Sequence, residues 1–335
     1  MEILISGGAG FIGSTIASAA EDAGHHPIIV DNFVTGRREF VAGRTHYEGN
    51  ISDSALIHRI FEEHPDIEAV VHCAALIVVP ESVAEPARYY DANVVETLRL
   101  VESLIDVGCT RLLFSSSASV YVPDEDFSVN EESALEPLSP YARTKVVVED
   151  MLRDIAAATP LRVISLRYFN PVGADPQFRT GLQIAEPTHA LGKLIQLTEQ
   201  GKPFAITGTD FSTRDGSGIR DYVHVWDLAA AHLSALEHFE EALEGDTQAV
   251  INLGTGQGTT VRELVGAFES VIGRSIEVTV APRRPGDAAG AFTRSDKARR
   301  VLSWTPQLSL EQGIADTLTW FSKRAEVLPD LDTGA

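Results

Sequence analysis

Tyr141 and Lys145 stand four residues apart in the stretch SPYARTK (139–145), and this spacing suits acid–base chemistry. On a helix, side chains four residues apart lie on the same face. A free tyrosine has a pKa of about 10, and a neighbouring ammonium group favours its ionised form, so the pair could take a proton from a substrate hydroxyl. Ser117, at the end of RLLFSSS, could hydrogen-bond the same oxygen. The alternative interpretation is an ordinary helix start, with Ser139 as its cap.

The elements that must hold these residues are predicted by an alternation of apolar runs and segments with helical periodicity. The runs are expected to be buried parallel strands, and the segments between them helices. The predicted strands are 3–6, 27–31, 69–75, 111–117 and 162–169, and the predicted helices lie near 13–23, 53–63, 86–107 and 140–158. This alternation is typical of an α/β fold with a Rossmann-type doubly wound parallel sheet, whose ligands bind at the carboxyl ends of the strands.

The second half of the chain predicts a smaller, mixed α/β substrate domain. After Phe169 a long loop rich in glycine and proline interrupts the alternation, and loops of that length are usually functional. The segments that follow are a predicted helix at 189–200, a strand at 204–207, a helix at 223–239, a strand at 248–254 and a helix at 261–273. We predict a first domain at 1–170 and a second mainly at 171–330, with elements near 211–254 returning to the first.

Composition excludes several classes of partner. The 335-residue chain has a formal net charge of -21, which argues against nucleic acid and against an anionic membrane, although a few arginines could still hold a small anionic ligand. The two cysteines, Cys73 and Cys109, have no metal-type spacing and imply no disulfide framework. We find no room for a signal peptide before the first strand and no apolar run that could span a bilayer. We therefore expect a cytoplasmic protein without a metal site.

The stretch SGGAGFIGS predicts a dinucleotide site. Its glycines recur every third residue between a strand and a helix, where a tight turn lets a pyrophosphate approach the backbone and the helix N-terminus. Asp31 ends the next predicted strand, where its carboxylate can accept from both hydroxyls of an adenosine ribose and would repel a 2′-phosphate. The pattern predicts NAD rather than NADP, although Arg37 and Arg38 nearby weaken this exclusion. The alternative is a structural turn with a solvated aspartate.

The glycine spacing, Asp31, the serine cluster and the Tyr-x-x-x-Lys pair resemble the extended short-chain dehydrogenase/reductase family. Later stretches narrow the resemblance to the UDP-glucose (UDP-galactose) 4-epimerases over nearly the whole chain. These stretches are ESVAEPARYYDANV (81–94), LRYFNPVGADP (166–176), GTDFSTRDGSGIRDYVHVWDLA (208–229), INLGTG (251–256) and RRPGD (283–287). The resemblance implies a homodimeric enzyme that inverts C4 of a UDP-sugar through a transient 4-keto sugar, with NAD regenerated in each cycle.

The resemblance, added to the glycine turn and Asp31, implies a set of site residues. The catalytic residues would be Tyr141, Lys145 and Ser117. The cofactor contacts would be Gly7, Gly10, Phe11, Ile12, Gly13, Asp31, Asn32, Asn50, Ile51, Ala74, Ala75, Asn93, Ser115, Tyr141, Lys145 and Tyr168. The substrate contacts would be Ser117, Tyr141, Asn170, Arg179, Arg220, Arg284, Asp287 and Ala291. The planar guanidinium groups of Arg220 and Arg284 would suit the diphosphate.

Several positions depart from the pattern of the hexose epimerases. Ile77 stands where they generally carry a lysine, Pro80 replaces a small residue, and Asn50 replaces the aspartate that meets adenine; these changes bear on cofactor affinity. Ala291 stands where hexose-restricted members have a tyrosine, which leaves room for a larger sugar such as UDP-N-acetylglucosamine. Arg179 could pair with the carboxylate of UDP-glucuronate, although most loop arginines are simply solvated.

Two other functions remain as alternatives. A nucleotide-sugar 4,6-dehydratase needs an acid pair beside the catalytic serine or threonine, whereas Ala118 and Ser119 follow Ser117 here. A redox-sensing regulator that binds NAD on the same fold has no need of Tyr141 and Lys145. Both comparisons favour the epimerase.

Overall fold

The computed structural model describes residues 1–283 and 289–331 as strands and helices that alternate along most of the chain. The strands are β1 (Glu2–Ser6), β2 (His26–Asp31), β3 (His46–Glu48), β4 (Ile67–His72), β5 (Arg111–Ser117), β6 (Ser128–Val129), β7 (Arg162–Tyr168), β8 (Asn170–Val172), β9 (Phe204–Thr207), β10 (Ile219–Arg220), β11 (Tyr222–His224), β12 (Gln248–Leu253), β13 (Thr259–Thr260), β14 (Val278–Ala281) and β15 (Phe292–Thr293).

The helices vary from one turn to five. They are α1 (Phe11–Asp22), α2 (Ser54–Glu63), α3 (Val79–Ala84), α4 (Pro86–Tyr90), α5 (Glu96–Asp106), α6 (Pro140–Ala158), α7 (Ala190–Glu199), α8 (Val225–Glu237), α9 (Phe239–Leu243), α10 (Val261–Ile272), α11 (Asp296–Leu302) and α12 (Leu310–Val327). A π-helical turn (Asp91–Val95) joins α4 to α5, and short 3-10 helices lie at Arg38–Val41, Ala118–Val120 and Pro329–Leu331.

Seven strands form one parallel sheet in the order β3-β2-β1-β4-β5-β7-β12. The chain runs outward from β1 to β3 on one side and then from β4 to β12 on the other. The strand order therefore reverses between β1 and β4, and a crevice for a ligand opens there at the carboxyl ends of the strands. This topology confirms the predicted Rossmann-type, doubly wound sheet.

The sheet is buried on both faces because its strands are apolar at nearly every position. Side chains such as Ile3 and Ile5 point toward the layer that contains α1 and α8. Leu4 and its neighbours point the other way, toward α2, α5 and α6. Because successive side chains of a strand point to opposite faces, each strand contributes to an apolar core on both sides of the sheet. The helices that cover these cores hold the strand ends in place.

Most predicted elements are found, with differences at their ends. The predicted strand 69–75 is β4 (Ile67–His72), so residues 73–75 belong to the loop at the crevice. The predicted helix 86–107 is broken into α4, the π-helical turn and α5. Strand β3 was not predicted, because three residues are too few to show an alternation.

A third apolar cluster lies in the second half of the chain. It is formed by side chains of α7, β9, α10 and α12, and β9 pairs in parallel with β14. Strand β12, by contrast, lies beside β7 in the central sheet, and α8 packs on α1. None of the helices within the described residues combines the length and apolar character needed to cross a membrane.

Candidate active site

The glycine turn between β1 and α1 leaves no space for side chains. Gly7 has a φ of 71°, and a Cβ there would lie 2.6 Å from the backbone nitrogen of Ala74. A Cβ on Gly13 would collide with the carbonyl oxygen of Gly7. Gly10 caps α1 without a side-chain hydrogen bond, so no side chain covers the first-turn N–H groups of the helix. This open turn fits a pyrophosphate. Phe11 and Ile12, which were predicted as cofactor contacts, are the first two residues of α1, so the helix begins two residues before the predicted start near residue 13.

Asp31 ends β2 beside this turn, where it is 7% exposed. Its two carboxylate oxygens accept hydrogen bonds from the backbone nitrogens of Ala9, at 3.0 Å, and Phe33, at 2.8 Å. Burial raises the pKa of Asp31, and the two backbone donors oppose that change. Each oxygen keeps a lone pair that a ribose hydroxyl could use. The fit of the turn and this carboxylate to a dinucleotide is therefore good.

The two arginines near Asp31 are occupied by carboxylates. Arg37 donates to Asp330, and Arg38 donates to Glu48 at 2.9 Å while lying over the ring of Phe33. Neither is placed as a free partner for a ribose phosphate. This arrangement agrees with the prediction of NAD.

The segments after β2 and β3 contain three more predicted cofactor residues. Asn32 is exposed, and its Oδ1 accepts from the nitrogen of Val34 at 3.1 Å. Ile51 is buried in the apolar cluster on the side of the sheet that faces α2, α5 and α6. The side chain of Asn50 is engaged with Ser52 and with Glu96, a residue that the sequence did not single out.

The loop after β4 is fixed to the neighbouring helices by Asn93 of the π-helical turn. Its Oδ1 accepts from the nitrogen of Leu76 at 2.8 Å, and its Nδ2 donates to the Leu76 carbonyl at 3.0 Å and to Thr144 at 3.1 Å. Ala74 and Ala75 lie in this loop, and the backbone of Ala74 lies directly against Gly7. Asn93 therefore positions the backbone of the loop after β4. Ile77, just beyond, is 63% exposed.

The predicted catalytic residues meet where β5 ends and α6 begins. Ser139 caps α6 by accepting from the nitrogen of Ala142 at 3.2 Å, so the ordinary helix start and the Tyr–Lys pair occur together. Lys145 is buried, and its Nζ donates to the Ser115 carbonyl at 2.8 Å and lies 5.9 Å from the centre of the Tyr141 ring. Ser117 Oγ is 2.9 Å from Ser119 Oγ.

Burial shifts the pKa values of both Tyr141 and Lys145. Burial raises the pKa of Tyr141, and the hydrogen bond from Ser117 lowers it by less. Burial also lowers the pKa of Lys145 to about 8, although the nearby Cys73 and Glu149 act in the opposite direction. Desolvation is thus the largest effect on the Tyr141 pKa within the protein itself, and the lowering of that pKa by Lys145 together with a positive nicotinamide ring stays a prediction.

Tyr168, at the end of β7, completes this part of the crevice. Burial raises its pKa well above the usual range, and the nearby Tyr141 adds to that change. The Ser115 hydroxyl contacts the Cys73 sulfur at 3.2 Å. Burial raises the pKa of Cys73 to about 11, so its thiol stays protonated.

A buried ion pair behind the catalytic residues was not predicted. Arg167 of β7 donates from Nε to both carboxylate oxygens of Glu149, at 3.0 and 3.2 Å, and from Nη1 to Tyr121 at 2.8 Å. Ser116 also donates to Glu149. Glu149 follows Lys145 by one helical turn, so helical spacing alone places both side chains on the same face of α6 and could have indicated Glu149 as a site residue.

The predicted substrate residues Asn170, Arg220 and Ala291 lie on adjoining segments beyond β7. Asn170 is the first residue of β8 to pair with β11, and its backbone nitrogen donates to the Asp221 carbonyl at 3.0 Å. Arg220 donates to the Ala289 carbonyl at 2.7 Å. Ala291 packs against the cluster that contains Val120 and Phe169, next to the segment that follows Ser117.

Asp221 accepts hydrogen bonds from several segments of this region, and the sequence did not predict this role. It is fully buried, and its Oδ1 accepts from the nitrogen of Thr255 at 2.8 Å. Its Oδ2 accepts from the nitrogens of Gly256 and Thr293, both at 3.2 Å. One carboxylate thus joins the loop after β12, strand β15 and the segment that carries Arg220.

Arg179 does not join the candidate site, and the interpretation of this residue as a carboxylate partner is corrected here. Its guanidinium group pairs with Asp175 and, at 2.7 Å, with Asp22 at the far end of α1. Helix α1 begins at the glycine turn and runs away from it, so Asp22 lies at the opposite edge of the sheet. Both sides of the Arg179 guanidinium group are therefore engaged in structural ion pairs with Asp22 and Asp175.

Two predicted substrate residues, Arg284 and Asp287, lie outside the described residues. Their neighbour Arg283 stacks on Phe211 at 3.8 Å and pairs with Asp210. No group of three or more His, Cys, Asp or Glu side chains that could hold a metal ion occurs in the described part of the chain.

Known proteins resemble this chain in sequence and in structure. Residues 3–254 match the NAD dependent epimerase/dehydratase family. UDP-glucose 4-epimerase of Azospirillum brasilense is 40% identical over 321 residues, which cover 95% of this chain and 91% of the relative. The crystal structure of a Stenotrophomonas maltophila UDP-glucose-4-epimerase with bound NAD and formylated UDP-arabinopyranose has a TM-score of 0.91 at 35% identity, covering 98% of this chain and 99% of that one. A UDP-Glc/GlcNAc 4-epimerase from Campylobacter jejuni has a TM-score of 0.80 at 34% identity, covering 95% and 98%.

Proposed function

Because the chain belongs to the NAD dependent epimerase/dehydratase family, we propose that it is an NAD-dependent UDP-sugar 4-epimerase, an isomerase that inverts the C4 hydroxyl through a transient 4-keto sugar. The observation that carries this proposal is the meeting of Ser117, Tyr141 and Lys145 at the carboxyl end of β5, beside a glycine turn and Asp31. UDP-glucose and UDP-galactose are the proposed substrates, and UDP-N-acetylglucosamine or UDP-glucuronate would widen the range.

The residues of the crevice would bind both the pyrophosphate and the adenosine ribose of NAD. The glycine turn and the N-terminus of α1 would receive the pyrophosphate, and Asp31 would accept from the ribose hydroxyls. When bound, NAD supplies a hydride acceptor that takes hydrogen from C4 and later returns it.

The chain's own residues would handle the proton. The Tyr141 oxygen would take the proton of the 4-hydroxyl and later give it back to the same oxygen after the sugar has turned about its phosphate linkage. The Ser117 hydroxyl would orient that oxygen. The Lys145 ammonium would offset the negative charge on the phenol, which burial otherwise disfavours. The buried positions of Tyr141 and Lys145 would limit the water that could compete for the proton.

The substrate's UDP would bind across the segments that Asp221 joins. We propose that Asn170 and Arg220 contact the nucleotide, together with Arg284 and Asp287, and that Ala291 lines the sugar pocket. The place of Ala291 beside the segment after Ser117 supports this assignment. An alanine there leaves more room than a tyrosine would.

We further propose that residues 1–170 form the NAD-binding domain, with elements near 211–254 returning to it, and that residues 171–330 mainly bind the UDP-sugar. The position of β12 beside β7 supports the return. The separate apolar cluster of α7, α10 and α12 supports a second core.

The enzyme is proposed to be a cytoplasmic homodimer. Both cysteines are free thiols, which supports a reducing compartment. Exposed apolar side chains lie on adjoining elements around α3, the π-helical turn and α6, among them Val83, Val95 and Val147. Such a patch marks an interaction surface, and two-fold dimers are the commonest assemblies. Light scattering should give twice the chain mass, and Val147→Glu should lower it.

Product analysis tests the proposed activity. Purified protein is incubated in parallel with UDP-glucose, UDP-N-acetylglucosamine and UDP-glucuronate, and the sugars are separated by chromatography. An epimerase yields the C4 epimer with no release of NADH. Stoichiometric NADH would indicate a dehydrogenase, and loss of water from the sugar would indicate a dehydratase.

A further inference from the structure

The side of the crevice that receives the adenine of NAD follows from the positions of its other contacts. The pyrophosphate belongs at the glycine turn after β1, and the reacting end of the cofactor belongs near Tyr141, on the β5 side. The adenine must therefore lie on the opposite side, toward β3. There, the nitrogen of Gly49 donates to the Asp31 carbonyl at 3.0 Å, which places Asn50 next to the residue that would hold the ribose.

Asn50 has no acceptor left for a base. Its Oδ1 accepts from both the nitrogen and the hydroxyl of Ser52, at 2.9 and 3.0 Å. Because a backbone N–H can only donate, these bonds fix which side-chain atom is the oxygen. The amide nitrogen then donates to Glu96 Oε1 at 2.8 Å. An asparagine held in this way presents only donors to the crevice.

Glu96, the first residue of α5, supplies the missing acceptor. One carboxylate oxygen is engaged by Asn50, and no group in residues 1–283 or 289–331 donates to the other. The side chain is half-buried, and burial raises its pKa while the Asn50 donor opposes the change. It follows Asn93, which fixes the loop after β4, by three residues. Glu96 thus lies close to the segments that follow β3 and β4.

We propose that Glu96 accepts a hydrogen bond from the exocyclic amino group of the adenine, with Asn50 as the residue that orients it. This role makes the site selective for adenine over hypoxanthine. Hypoxanthine carries a carbonyl oxygen in place of the amino group, and that oxygen would face a carboxylate without a hydrogen between them.

The Asn50 contact also predicts what a glutamine would do at this position. In Glu96→Gln, the Asn50 donor should still bind the remaining side-chain oxygen. The amide nitrogen of the new side chain would then point toward the base, and it can only donate. The change should therefore reverse the preference from the amino group of adenine to the carbonyl of hypoxanthine.

A competition assay tests this directly. Protein is incubated with equal concentrations of NAD and nicotinamide hypoxanthine dinucleotide until the bound ratio is constant, passed through gel filtration and denatured, and the two dinucleotides are quantified by chromatography. The wild-type protein should retain about tenfold or more NAD than nicotinamide hypoxanthine dinucleotide, because one hydrogen bond to a charged group has an effect of that size. Glu96→Gln should bring the ratio to one or below, and Glu96→Ala should bring it close to one.

Glu102→Gln is the matched control, because Glu102 is an exposed glutamate on the same helix that pairs with Arg99. It should keep the wild-type ratio. The proposal is wrong if the wild-type protein retains both dinucleotides equally, or if Glu96→Gln and Glu96→Ala keep the wild-type ratio. A folded variant that holds neither dinucleotide also contradicts it, since one hydrogen bond cannot empty the site. The assay requires no sugar turnover, so its outcome is independent of the proposed epimerase activity.

Discussion

Removing Arg167 should destabilise the protein strongly while leaving its surface unchanged. Arg167 and Glu149 are each 5% exposed, and Arg167 makes hydrogen bonds to both carboxylate oxygens and to Tyr121. Arg167→Met leaves the Glu149 carboxylate buried with only the Ser116 hydroxyl as a side-chain donor. Breaking one side of a buried ion pair costs about 3–5 kcal/mol. For a chain of this length the melting temperature should fall by roughly 6–10 °C.

The assay is thermal unfolding at pH 7 with saturating NAD, so that differences in bound cofactor do not contribute. Arg153→Met is the matched control on α6, because Arg153 pairs with Asp150 with both side chains more than half exposed. Its cost should be below about 1 kcal/mol. The double variant Glu149→Met with Arg167→Met removes both charges, and it should be more stable than Arg167→Met alone.

A small effect of Arg167→Met on the melting temperature would contradict the expected destabilisation. If Arg167→Met melts within 2 °C of the parent, on the scale of about 2 °C per kcal/mol, the ion pair does not hold the carboxylate that we describe. A double variant less stable than the single one would also contradict it, because the penalty would then come from lost packing and not from an unpaired charge.

Three further predictions concern catalysis, specificity and pH. Tyr141→Phe should lower epimerisation by about two to four orders of magnitude with NAD still bound, as measured by turnover and by mass spectrometry of the cofactor; turnover within twofold of the parent would remove Tyr141 as the base. Ala291→Tyr should suppress turnover of UDP-N-acetylglucosamine and spare UDP-glucose, since a change in pocket size of one methylene discriminates by about 1–3 kcal/mol; equal loss on both sugars would show that this residue does not limit sugar size. Burial lowers the pKa of His72 to about 3 and of His232 to about 4, so both stay neutral in the folded protein. The unfolded chain takes up these protons below about pH 6.5, and the free energy of unfolding should fall by about 1.4 kcal/mol per pH unit per histidine between pH 6 and 4.5. Urea titrations should show a shallower fall in His72→Gln.

The sequence predicted those parts of the fold and site that depend on neighbouring residues. Buried strands, the glycine turn and the Tyr141–Lys145 spacing are local patterns, and the structure places the last two on the same edge of the sheet. The Rossmann order followed from the alternation of strands and helices.

The parts that could not be predicted depend on contacts between distant residues. Arg179 was interpreted as a partner for a substrate carboxylate or as a solvated loop residue, because its partner Asp22 lies far away in the sequence. The pair of Asn50 with Glu96 could not be predicted for the same reason, since a hydrogen bond between a loop and the first residue of a distant helix has no sequence periodicity. The raised pKa of Tyr141 depends on how much water the fold excludes, and spacing carries no information about burial.

The three-way contact of Asp221 has a consequence for the order in which the protein is made. A ribosome releases the N-terminal part first, and domains generally fold as they emerge. Six of the seven strands of the central sheet, with the glycine turn and Asp31, end by Tyr168. Asp221, however, accepts hydrogen bonds from the nitrogens of Thr255 and Thr293, which are synthesised much later, so these bonds form only then. If the chain binds NAD and a UDP-sugar as we propose, most of the residues for the cofactor are therefore synthesised before the residues that complete the substrate side of the crevice.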